Sequence, residues 1–299
     1  MVNSKMVENL NQIPAQMEGE IRKQHIKIYE FTKQLKGIVI NKLIDINTGE
    51  LTDTITKYIV LLQSHAEDYE TWRWVEPVDH LLYLSQIKAK LEVYTILGKS
   101  DMKKIEQKLA KLEEKVYKTI SLIYAVICSE KSDRLSIIQE IINNNVEARF
   151  GNVINNIDAI LSRLENVNIS DEPIKILVDN VFNETKQFRE EIVKFKNEKV
   201  EITSVGDIVM FIKKFSKLLE QSALISTLFD LIYIKDEQVY KRLFVQQSLP
   251  NLADNAYYYL FEVLKDISSN YIEGYEHIKQ ACADKTYAEY YTTVCGDEW

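Results

Sequence analysis

The side chains best placed for chemistry in this 299-residue chain are three of its four histidines. His65 falls toward the end of one predicted helix and His80 at the start of the next, so a tight reversal between them would hold both imidazoles at one pole of a helical bundle. Glu67, Glu70, Arg73, Glu76 and Asp79 lie in or beside the same connection. His25 joins them by counting: it lies 23 residues before Thr48 and His65 lies 17 after, an offset of six residues or about 9 Å along a helix axis. An imidazole beside a carboxylate serves as a general base, and imidazoles with carboxylates bind transition metals. The competing expectation is structural, since a single His on an apolar helical row commonly fills a rim position with one hydrogen bond.

Arg73 and His80, with six residues between them, resemble the Arg-x4-6-His signature of the small helical HEPN ribonucleases. The resemblance covers those two residues. It implies that the pair Arg73 and His80 acts on an RNA backbone at a dimer interface; the polar pole itself offers His65, Arg73, Asp79 and His80 as the catalytic set of a helical hydrolase or ribonuclease. Pro77 inside the spacing and Trp74 directly after the arginine depart from the family pattern. His277, Cys282 and Cys295 match no common zinc spacing and read better as core thiols with a neighbouring imidazole. Glycine-rich phosphate loops, His-Glu-x-x-His, Cys-x-x-Cys and Gly-x-Ser-x-Gly are absent from the sequence, so no metal site and no cofactor is assigned.

The other residues that stand out are aromatic. Tyr257, Phe261, Tyr271 and Tyr275 share one helical row near the C-terminus, and Tyr290-Tyr291 follow. Tyrosine suits an interface because its ring buries area while its hydroxyl keeps a hydrogen bond, although the same row also fits a core. Composition narrows the partner. With 37 basic and 45 acidic residues the chain carries a net charge of −8 and no long basic run, which disfavours general binding to a nucleic-acid backbone. Three widely spaced cysteines do not form a secreted disulfide framework, and the first twenty residues lack an apolar signal segment, so a cytoplasmic location is expected.

These residues must be positioned by helices. Eight Gly and four Pro in the whole chain leave few breaks. Apolar rows at alternating spacings of three and four predict helices over 14–45, 51–69, from Pro77 to Gly98, and from Ser100 or Asp101 through the heptad Ile105, Leu109, Leu112, Val116, Thr119 and Ile123. Further helices are expected over 133–164, with a kink near Gly151, over 170–196, and over 236–247, closed by Pro250. Lys199–Thr203 alternates like a strand without a partner and reads as an extended linker dividing 1–198 from 199–299, unless the chain is one continuous domain.

The helix around which the rest is expected to fold spans 204–234. Phe211, Phe215, Leu218, Ser222, Ile225, Phe229 and Ile232 form one stripe, and Ile208, Ile212 and Leu219 widen it. Ser204 with Asp207 resembles a capping box. Lys213, Lys214, Lys217 and Glu220 leave about 14 residues after them, too few to cross ~30 Å of hydrocarbon. The expected fold is all-α, an elongated bundle or an irregular stack of antiparallel helical hairpins with coiled-coil-like pairing. The expected function is non-enzymatic binding of another protein or self-association, as a regulatory or structural subunit, with the helical hydrolase or ribonuclease as the alternative.

Overall fold

The computed structural model describes residues 77–96, 103–130 and 133–283. The helices expected over 14–45 and 51–69, together with His25, His65, Arg73, Tyr290, Tyr291 and Cys295, lie outside the described residues, as do the side chains of Asp79, Tyr271, Tyr275, His277 and Cys282. The described elements are α1 (Pro77–Ile96), α2 (Lys103–Glu130), α3 (Arg134–Leu164), α4 (Glu172–Asn197), α5 (Val205–Lys235), α6 (Glu237–Tyr240), a π-helical turn (Lys241–Val245) and α7 (Leu249–Ala283). No strand occurs among the described residues, and the helices pack against one another.

α5 is the helix the others enclose. It packs against α1, α2, α4 and α7, while α3 closes the outside by packing on α4 and α7. Every residue of the anticipated stripe is buried, and between Ser222 and Ile232 only Ser226 and Asp230 are not. Its start is set locally. Ser204 takes the Asp207 N–H on its hydroxyl, and the Asp207 carboxylate accepts from the Ser204 backbone N–H at 2.8 Å, completing the capping box. Thr203 adds its hydroxyl at 2.8 Å and its backbone N–H at 3.0 Å.

Phe150 carries α3 into the centre: its ring lies 5.6 Å from Phe195 of α4 and 5.9 Å from Phe215 of α5. Phe211 lies within 5.5 Å of Phe195 and completes a four-ring cluster at one end of the bundle. The pairs Phe150–Phe195 and Asp158–Arg189 run in opposite directions along the two helices, so α3 and α4 are antiparallel. Arg149 with Glu262 and Asp266, and Arg163 with the Gln247 carbonyl, set the same relation between α3 and α7.

One local expectation needs correcting, and others gain detail. α3 is assigned as one continuous helix through Gly151, with Phe150, Val153 and Ile157 beside it fully buried. Pro250 does not close a helix. The expected helix over 236–247 is four residues of α6 followed by the π turn, and Pro250 sits in the first turn of α7, where its missing N–H costs nothing. On α2 the heptad positions Ile105, Leu109, Leu112 and Val116 are fully buried, as are Ile120 and Tyr124, while the side chains of Thr119 and Ile123 lie outside the described residues. Lys199–Thr203 pairs with no strand among the described residues and is held instead by the Gln139 side-chain amide, which donates to the Val200 carbonyl at 2.8 Å and accepts from the Ile202 N–H at 2.5 Å.

Phe229 is fully buried on α5, so Phe229→Ala should cost ~3–5 kcal/mol in urea titration. Lys217→Ala on the exposed edge should stay within about 0.5 kcal/mol. A methyl group built on Gly151 meets nothing within 4 Å, and Gly151→Ala should stabilise the fold by roughly 0.5–1 kcal/mol. The hydrogen bonds from Thr203 and Ser204 hold the Asp207 carboxyl below its usual 3.8. A depressed folded-state value gives stability that is present above pH 3.8 and lost as pH falls through the lower value. Asp207→Asn should therefore lower the urea midpoint at neutral pH and change it little in strong acid.

Candidate functional site

Of the sequence-predicted catalytic residues, only His80 has a side chain among the described residues. His80 is fully buried in the first turns of α1, on the same row as Leu84, Ile87 and Leu91, and Asp79 precedes it on that helix. Tyr257 and Phe261 lie half-buried on α7, flanking the fully buried row Ala256, Leu260 and Val263. Ser85 gives its proton to the Leu82 carbonyl at 2.7 Å, which leaves the Tyr257 hydroxyl as donor to Ser85 at 3.2 Å. That contact ties α7 to α1.

Two clusters were not foreseen. The first is a corner where α5 ends and α7 begins. A chain of rings runs outward from the core: Phe229 to Phe244 at 5.6 Å, Phe244 to Tyr240 at 6.0 Å, and Tyr240 to Tyr233 at 5.1 Å, edge to face. Phe229 and Phe244 are fully buried, and Tyr233 is 38% exposed, so the ladder ends at the surface. Asp236 caps α6 by accepting from Gln238 and Val239, and the π turn then places Phe244 under the ladder. Ser248 follows with φ 57°, a left-handed conformation that costs a non-glycine residue roughly 1–2 kcal/mol. Beneath the corner Lys90 of α1 is 5% exposed and close to Thr227, at 3.4 Å. Burial lowers the pKa of Lys90, with Asp230 and Asp254 opposing. Burial likewise raises Tyr240 and Asp254; the Asp230 and Asp254 carboxylates push Tyr240 further, while Ser226 and Lys90 restrain Asp254.

The second cluster joins three helices. Lys88 of α1 donates to Glu113 of α2 at 2.7 Å and to Glu220 of α5 at 2.6 Å, and the Tyr117 hydroxyl donates to Glu113 at 2.9 Å. Burial opposes the charge on Lys88, but Glu220 and Glu113 outweigh it and hold its pKa above the ordinary range. Burial raises the Tyr117 pKa well above the usual phenol range, so its hydroxyl stays a donor. Lys213 stands over the Tyr117 ring at 5.1 Å. The arrangement is a three-way latch between helices, and its groups are engaged with one another.

Among the described residues no group of three or more His, Cys, Asp or Glu side chains could hold a metal ion, and no helix is long and apolar enough to cross a membrane. A cleft of about 620 Å³ lies between α3 and the extended segment, lined by Gln139, Asn143, Glu147, Lys196 and Lys199 among others, with charges of both signs. Short aromatic intervals such as Tyr233, Tyr240 and Phe244 were the available sequence signal for the corner; nothing in spacing pairs Lys88 with Glu113 and Glu220, which are 25 and 132 residues away. No protein-family model, curated protein or solved structure matches the chain.

The latch groups keep 16–27% of their side-chain surface exposed, so removing the cation should cost less than in a dry core. Lys88→Met should destabilise by about 2–4 kcal/mol, because two carboxylates are left facing each other. Glu220→Gln added to Lys88→Met should recover part of that loss, which a double-mutant cycle on urea midpoints would measure. Additive effects would mean the three groups do not act together.

Proposed function

We propose that the protein works by binding another protein, as a regulatory or structural subunit of a cytoplasmic assembly, and that the corner at the end of α5 and the first turns of α7 is the docking face. The observation that supports this is the distribution of exposed large apolar side chains. Of six among the described residues, Tyr233, Ile234, Val245 and Tyr258 fall between residues 233 and 258, and only Ile176 and Met210 stand elsewhere. Tyr233 is backed by a ring ladder anchored in the core, so presenting it to a partner costs little side-chain entropy. Tyr257 and Phe261 are half-buried beside the proposed face, and the sequence row they begin continues at Tyr271 and Tyr275. The long helices are proposed to pair in a coiled-coil manner through rows such as Ile105, Leu109, Leu112 and Val116, all fully buried.

Full-length protein and a Tyr233→Ala, Tyr258→Ala variant, each immobilised and exposed to extract of the native host, should differ. The wild type should retain a defined partner at stoichiometric yield, and the variant should retain at least tenfold less while its helical circular dichroism is unchanged. A wild type that is monomeric by light scattering and retains nothing, or a variant that retains the same partner equally, overturns the reading.

A further inference from the structure

We draw no further inference here: the strongest candidate, the cleft between α4 and α5 lined by Lys194, Lys214 and Lys217, carries nothing because Glu198 already holds Lys214, Lys217 stands as counter-charge to Glu220, and Lys194 shares the cleft with the carboxylate of Glu191.

Discussion

A helix whose second half is apolar on nearly every side has to be surrounded, and the enclosure of α5 is the constraint from which the other placements follow. Its 31 residues span roughly 46 Å, so the helices that cover it must be long as well, and α1, α2, α4 and α7 run for 20 to 35 residues each. Four neighbours along α5 still leave the phenylalanines at its N-terminal end facing α3. Phe150 reaches across from α3 to meet them. The outer helix is thereby bound to the centre through one ring as well as through its contacts with α4 and α7.

Apolar enclosure is permissive, because a core accepts hydrophobic exchanges that keep its volume at small cost. The polar groups inside this bundle are less permissive. Lys88 satisfies carboxylates from α2 and α5 together only if α1 sits at one height and one rotation between them. The Ser85–Tyr257 contact and the burial of Lys90 near Thr227 bind other sides of α1 to α7 and to the later turns of α5. α1 is thus a second interior helix: from His80 to Val93 only Glu92 is exposed.

That role of α1 was hard to read in the sequence. HLLYLSQIKAKLEVY shows the row His80, Leu84, Ile87 and Leu91, but the polar residues around the rest of the axis look like a solvated face until their partners are known. α5 was legible because its stripe, its capping box and its lack of polar surface agree with one another, and the extents of α3, α4 and α5 came within a residue or two for the same reason. The corner after α5 was misread. A π turn and a left-handed serine have no local sequence signature comparable to Gly, and Pro250 is equally at home ending one helix or starting the next. On α7 the core-facing places are taken by Ala253, Ala256, Leu260 and Val263, the two alanines being small residues that allow close helix approach, with Tyr257 and Phe261 half-buried beside them.

The contact between Gln139 and the extended segment has a consequence for how the chain can vary. A side-chain amide that meets one carbonyl and one N–H two residues apart acts as a strand of minimal length, and it imposes a register. In that register Ile202 is 6% exposed while Glu201 and Thr203 face water. Slippage by one residue would exchange an isoleucine for a carboxylate or a hydroxyl at the buried position and move Ser204 away from the first turn of α5. The connection between α4 and α5 therefore has no slack: among the described connections it is one where an inserted residue would be felt at the helix cap and in the core together, and length variation would have to be accommodated elsewhere.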